Sequence, residues 1–252
     1  MNEKGKVPFS YEEFYSRHLV MREIGIGGQK KLASSRVAVI GVGGLGTVSS
    51  LYLALAGVGY LRLIDGDLVE AKNLHRQILY RPRDLGKPKA EVAAERLSEA
   101  NPFIQVEPAL EKLNSNNAEN LLRGVDCVVD GLDNMRSRYI VNRACAKLRI
   151  PYVFGAAMGM EGNMSVFAPP ETPCLECVLP NINDNILPQC ETRGVLSPTP
   201  GIIGTMLAME TIKLLLRVGQ SLKGKLMICD FNDMYLTIIE INKRENCPAC
   251  QT

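Results

Sequence analysis

The chain has 252 residues, 46% hydrophobic and 22% charged, enough for one large domain or two small ones around a sizeable core. Its 29 Lys and Arg offset 27 Asp and Glu to a net charge of +2 without basic runs, which excludes a partner held by bulk charge, such as nucleic acid or an anionic membrane. The start, MNEKGKVPFSYEEF, is charged and lacks the apolar core of a secretion signal, so the chain reads as cytoplasmic and its eight cysteines need an explanation other than disulfides.

Residues 10–35 read as short helices, with Glu12, Glu13 and Arg17 on polar faces and Phe14 and Leu19 free to pack. Residues 37–40 form a buried strand that runs into GVGGLG, with Gly41, Gly43, Gly44 and Gly46. A strand that ends in such a loop and opens a helix brings backbone N–H groups close to a phosphate, because no Cβ keeps the ligand away. The same pattern also makes a tight turn without a ligand. Residues 37–61 carry no charge, as in a membrane span, but six glycines and a strand, turn, helix, strand rhythm argue against one. In the helix, Leu45, Val48, Tyr52 and Leu55 recur at spacings of three and four and predict one apolar stripe facing the sheet. Gly57 ends it.

The second strand, YLRLID, places Asp65 where a carboxylate accepts hydrogen bonds from ribose hydroxyls, which fits NAD and ATP equally. The connection DGDLVEAKNLHRQILYRPRDLG is long enough to suggest that it has work to do. With the helix KPKAEVAAERLSEAN it offers Asn73, Arg76, Lys87 and Lys89 just beyond the carboxyl edge of the sheet. Each alone reads as a solvated side chain. Together they suit a triphosphate under attack better than a bound pyrophosphate.

IQVEPAL, VDCVVDGLD and PYVFGAA supply further strands, with helices at 115–122 and 135–148 between them. Alternation of this kind predicts an α/β, doubly wound, Rossmann-like and mostly parallel sheet. Either Asp130 or Asp133 can hold Mg2+ through an oxygen, or Asp130 can cap the following helix. After about residue 160 the strands GNMSVFA, KLMICDF and YLTIIEI predict a smaller, partly antiparallel C-terminal half. NINDNILPQCETRGVLSPTPG reads as a mobile loop, and IIGTMLAMETIKLLL as a helix buried in the core or in a subunit contact.

Cys174 with Cys177 and Cys247 with Cys250 form two C-x-x-C pairs in turn-like settings. Four thiolates suit a closed, structural Zn2+ site that would tie the C-terminal tail to the segment leading to Cys190. Redox pairs or reduced core thiols are the alternatives. Cys127, Cys145 and Cys229 sit in apolar contexts and read as inert core residues. Cys190 lies in a polar stretch near Arg193, which favours thiolate, and beside Glu191, which opposes it.

GVGGLG, DGDLVEAKNLHRQ, GKPKAE, GLDN, CLEC and CPAC, in this order over nearly the whole chain, resemble the MoeB/ThiF/HesA family, relatives of the ubiquitin-activating enzymes. The resemblance implies one ThiF-like domain over 1–252, with a nucleotide-binding half at 1–160 and a carrier-binding and zinc half at 161–252. Members of that family adenylylate the C-terminal glycine of a ubiquitin-fold sulfur carrier protein ending in Gly-Gly. On this chain it implies that Gly44 approaches the phosphates, Asp65 holds the ribose, Asn73, Arg76 and Lys89 bind the triphosphate, and Asp133 holds Mg2+. Arg17, in YSRHLV, resembles an N-terminal arginine that reaches ATP in the neighbouring subunit, which implies a homodimer. Cys190 resembles the loop cysteine that some members join to the carrier and others do not need for adenylylation. Gly131 and Leu132 depart from the Cys-Thr common in bacterial members, and the end at CPACQT without a rhodanese domain implies a separate sulfur donor.

The residue types fit that chemistry on their own. A peptide C-terminal carboxylate has a pKa near roughly 3.5, so the nucleophile is already anionic at neutral pH and needs no general base. The chain has two histidines, His18 and His75, and neither requires a role. An anion attacking an anionic α-phosphate needs positioning, positive charge and a metal. The alternatives to an adenylyltransferase are an NAD(P)-dependent oxidoreductase and a non-catalytic nucleotide-binding scaffold.

Overall fold

The structure, a computed structural model, describes residues 7–184 and 193–250. Its frame is one eight-stranded sheet built from β1 (Arg36–Ile40), β2 (Tyr60–Ile64), β3 (Gln105–Ala109), β4 (Cys127–Asp130), β5 (Tyr152–Met158), β6 (Glu161–Phe167), β7 (Lys225–Asp230) and β8 (Tyr235–Glu240). The order is β3-β2-β1-β4-β5-β6-β7-β8. The first five strands are parallel and the pairs β5–β6, β6–β7 and β7–β8 antiparallel, as the change of rhythm near residue 160 predicts. The order reverses between β1 and β4, and in such sheets ligands bind at the carboxyl ends of the strands flanking the reversal.

The N-terminal residues form α1 (Tyr11–Phe14), α2 (Ser16–Leu19) and α3 (Gly25–Ser34). Around the sheet lie α4 (Gly44–Ala56), α5 (Lys89–Ala100), α6 (Ala118–Leu122), α7 (Met135–Leu148), α8 (Leu175–Val178) and α9 (Pro198–Leu216). One face of the sheet packs Val37, Val39, Leu61 and Leu63 on α4, α5 and α9; the other packs Ala38, Ile40, Val128 and Tyr152 on α6 and α7.

Two expectations change. The stripe on α4 is only half right, because Leu45 and Val48 are buried whereas Tyr52 and Leu55 are exposed. α4 is wedged between the sheet and α9, and at Gly204 a Cβ would lie 2.8 Å from the Leu45 carbonyl oxygen, so two faces of α4 are covered and the third faces out. Helix α9 starts at Pro198, before the predicted position, because its prolines occupy the first turn, where no intrahelical N–H is needed. By length and composition α9 could cross a membrane, but over half of it is buried against α4, β5 and β6, which accounts for its apolarity.

Candidate active site and metal centre

The loop after β1 is held by the loop after β4. Gly41 has φ +80°, and a Cβ there would lie 2.6 Å from the Gly131 carbonyl oxygen; a Cβ at Gly131 would in turn collide with the carbonyl oxygen of Gly41. Two glycines therefore let GVGGLG and GLDN interlock at the topological reversal. This gives a physical role to the glycine at 131.

Gly43 is the N-cap of α4 and has no side-chain cap, so the opening N–H groups of that helix face the space a phosphate would take. Asp65 pins the loop. Its Oδ2 accepts the Val42 N–H at 2.7 Å and its Oδ1 the Asp67 N–H at 2.8 Å. Burial pushes the Asp65 carboxyl up, against the Asp67 N–H, Lys89 and the Val42 N–H, which pull it down. The Asp67 carbonyl accepts the Lys89 N–H at 2.9 Å, and the Lys89 ammonium, largely buried, lies 3.5 Å from the Asp67 carboxylate. Tyr80 closes the ring: its buried hydroxyl donates to the Val42 carbonyl at 2.7 Å and lies 3.3 Å from that of Lys89.

Arg76 packs over the loop, its Cδ 3.7 Å from where a Gly44 Cβ would be. Its guanidinium donates to the Asn73 Oδ1 and the Lys72 carbonyl, both at 3.1 Å. Asn73 is buried and thereby orients Arg76. Beside Arg76 stands Gln77, a residue that the sequence reading passes over within HRQ. Its Oε1 is, among the described residues, the one buried side-chain N or O atom without a hydrogen-bond partner. Such an orphan costs about 1–3 kcal/mol.

The two aspartates of GLDN separate cleanly. Asp130, fully buried at the end of β4, accepts from Arg138 Nε at 3.0 Å and from the Tyr152 hydroxyl at 2.6 Å. Arg138 also donates to the carbonyls of Leu132 and Gly155. Asp130 is thus engaged as a structural ion pair, and Asn134 rather than Asp130 caps α7, accepting the Ser137 N–H. Asp133 is exposed on the loop, with an oxygen available to a hard cation. Asp184 accepts the N–H groups of Met135 and Arg136 and fixes the helix that follows.

The structure therefore brings Gly41, Gly43, Gly44, Gly46, Asp65, Asn73, Arg76 and Lys89 to one edge of the sheet, with the Asp133 loop against them. It does not bring Arg17 there. That residue is exposed on α2, next to Tyr15, whose hydroxyl accepts from Asn101 and lies against Gly57 at the far end of α4. Helix α4 has 13 residues, and its length of roughly 20 Å separates Arg17 from the glycine loop of its own chain. Cys190 lies outside the described residues.

A second centre holds Cys174, Cys177, Cys247 and Cys250, all four sulfurs within 4.8 Å of one another. Separations are 3.6 Å for Cys174 to Cys247, 3.5 Å for Cys177 to Cys250 and 3.9 Å for Cys174 to Cys177. Four sulfurs at a Zn–S length of 2.3 Å stand about 3.8 Å apart in a tetrahedron, so the donor set fits Zn2+. Helix α7 braces the cluster: Asn142 accepts the Leu175 N–H and donates to buried Glu176, which Arg143 grips through both Nε and Nη2. Burial pushes the Cys127 thiol up to about 12 and Cys145 well above its ordinary value, as expected of inert core thiols.

The family model described as the ThiF family matches residues 15–249. The SAMP-activating enzyme E1 of Haloferax volcanii is 41% identical over 237 residues, 94% of this chain and 87% of that protein. The sulfur carrier protein adenylyltransferase of Thermus thermophilus is 38% identical over 242 residues, covering 94% and 89%. The adenylyltransferase and sulfurtransferase MOCS3-1 of Drosophila pseudoobscura pseudoobscura is 41% identical over 238 residues, and the chain spans 53% of its length. Among solved structures, E. coli MccB with ATP superposes with a TM-score of 0.82 at 24% identity, covering 95% of this chain and 75% of that one, a likeness of fold.

Proposed function

The chain belongs to the ThiF family, and on that premise we propose that it uses ATP and Mg2+ to adenylylate the C-terminal glycine of a ubiquitin-fold sulfur carrier protein ending in Gly-Gly. It is an adenylyltransferase, the activity that the Thermus and Drosophila relatives carry in their names, which leaves the oxidoreductase and scaffold readings without support. The observation that carries the substrate assignment is the composition of the edge between β1 and β4. Glycine amides, Arg76 and Lys89 surround it, and the reaction asks nothing of either histidine: His18 bonds Gln29 at the distant N-terminal helices, and His75, exposed on the loop, has its Nε2 3.4 Å from the Arg76 guanidinium.

In this reading an oxygen of the carrier's terminal carboxylate attacks the α-phosphorus. The bond from the α-phosphorus to the bridging oxygen breaks, and pyrophosphate leaves with that electron pair. No proton moves, so acceleration comes from alignment and from cations facing the charge on the phosphates. Gly43 and Gly44 seat the phosphates through backbone N–H groups, Asp65 takes the ribose, and Asn73 orients Arg76 toward the triphosphate. Asp133 would hold Mg2+, which supplies charge neutralisation when bound. We assign carrier docking and Zn2+ to the 161–252 half, a homodimer to the assembly and the reducing cytosol to the location. Cys190 is assigned to a step after adenylylation.

Carrier-dependent exchange of labelled pyrophosphate into ATP tests the reading. Exchange with a Gly-Gly carrier, equal in Cys190→Ala, is expected. Its absence with ubiquitin-fold carriers of the molybdopterin, thiamin and tRNA-thiolation types would remove the substrate assignment.

A further inference from the structure

Gln77 is 4% exposed, and its Oε1 is buried without a hydrogen-bond partner among the described residues. Its neighbours are satisfied: Asn73 holds Arg76, Tyr80 holds Val42, and Asp84 accepts the Arg81 N–H. Buried amides are normally paired, so a lone exception at a ligand edge needs an account.

The backbone leaves Gln77 little freedom. Its N–H donates to the Asn73 carbonyl at 3.1 Å and its carbonyl accepts the Tyr80 N–H at 3.2 Å. The side chain is thereby delivered against the glycine loop, where Nε2 lies 3.6 Å from the place a Gly43 Cβ would occupy. Gly43 is the uncapped N-cap of α4. Arg76 lies against Gly44, so consecutive side chains flank consecutive glycines, one charged and one neutral.

We propose that Gln77 is a nucleotide-contacting residue whose carboxamide, set against Gly43, donates an N–H to a phosphate oxygen of ATP seated on the glycine loop. This rests on the ATP reading given above. Because Oε1 is not engaged by the protein and Nε2 already lies on the Gly43 side, the amide can present its NH2 group to the phosphates without giving up an Oε1 bond. A neutral donor fixes the orientation of the chain beside Arg76 without adding a charge that would hold pyrophosphate back. The unpaired amide of the free protein is then a group kept ready for a substrate.

Gln77→Leu tests this, because leucine is close in size and removes both the donor and the orphan. Free protein should melt at or above the wild-type temperature, since an unsatisfied buried atom is gone. The ATP-induced rise in melting temperature should shrink, and KM for ATP should climb about tenfold or more, as loss of a hydrogen bond to a charged group predicts. A purely structural Gln77 predicts the reverse: a lower melting temperature with an unchanged response to ATP, and that result overturns the proposal. Should Gln77→Leu fail to fold, wild-type protein labelled with 15N in glutamine side chains decides. With Gln77→Asn used for assignment, the Gln77 NH2 resonance must move on addition of an ATP analogue with a methylene between the α- and β-phosphates; a stationary signal refutes it. Wild-type protein that neither responds to ATP nor exchanges pyrophosphate would overturn the ATP reading as well, whereas a normal wild type with an unaffected Gln77→Leu overturns the role of Gln77 alone.

Discussion

The Tyr80 hydroxyl donates to the carbonyl of Val42 at 2.7 Å, on the residue whose N–H is held at 2.7 Å by Asp65. Val42 is thus clamped from both sides, and the clamp reaches Lys89 through Asp67 on one side and through Tyr80 on the other. Tyr80→Phe leaves the Val42 carbonyl buried without this donor, at about 1–3 kcal/mol. For a chain of this size that is roughly 2–4 °C in Tm per kcal/mol. KM for ATP should rise more than kcat falls, because the loop binds before it reacts. Unaltered Tm and KM would show that the ring does not shape the loop.

Arg76→Ala and Lys89→Ala should each slow pyrophosphate exchange by more than about tenfold at saturating ATP, since each removes a cation from a charge-crowded transition state. Lys87→Ala is the control. Its ammonium pairs with Asp84 at 3.5 Å and is over half exposed, on the far side of Pro88 from Lys89. Exchange that falls equally in all three variants would mean that general stability, not phosphate contact, is being read.

How far this site can be read from sequence depends on what each residue faces. The β/α alternation is legible because apolar runs and their breaks are local; Asp65 and Lys89 are legible because they sit at a strand end and a helix start, and Asn73 and Arg76 because the connection that carries them is too long for a plain turn. Tyr52 and Leu55 mislead because a helix between two partners buries two faces, and the crossing of α9 at Gly204 is a long-range contact. Gln77 is invisible because a glutamine in a polar loop is ordinarily solvated; only its burial makes it unusual. Asp130 had a signal: it closes a run of buried strand residues, where a charge must be paired.

That distinction is testable. Asp130→Ala strands Arg138 as a buried cation without its counter-ion and should destabilise the fold by about 3–5 kcal/mol. Asp133→Ala removes an exposed carboxylate and should leave Tm nearly unchanged while exchange falls and the Mg2+ requirement rises. Thermal melts and Mg2+ titrations of both variants separate the roles. An Asp133→Ala enzyme with a normal Mg2+ dependence would take Asp133 out of the metal site.

Purified protein should carry about one Zn2+ per chain, and Cys247→Ser should lower both metal content and Tm. ATP affinity should persist, because the brace on the cluster, Asn142, lies eight residues and roughly 12 Å along α7 from Asn134 beside the nucleotide loop. Tag-free protein without zinc would return the cluster to reduced thiols.

Arg17 poses a question of reach. Its backbone is fixed near the carboxyl end of α4 by Tyr15, Asn101 and Gly57, while the glycine loop sits at the other end of that helix. An arginine side chain spans far less than the roughly 20 Å between them, so any contact with ATP must be made in a second copy of the chain. In a two-fold dimer each arginine would serve the opposite site. Mixing two inactive variants tests this directly. In a dimer of Arg17→Ala with Lys89→Ala, the chain that keeps Lys89 would receive Arg17 from its partner and form one intact site. Random reassortment of equal amounts should restore about a quarter of wild-type exchange, since half of the dimers are mixed and each has one working site. If Arg17 instead served its own chain, no combination of the two variants would assemble an intact site, and the mixture would stay as inactive as its parts.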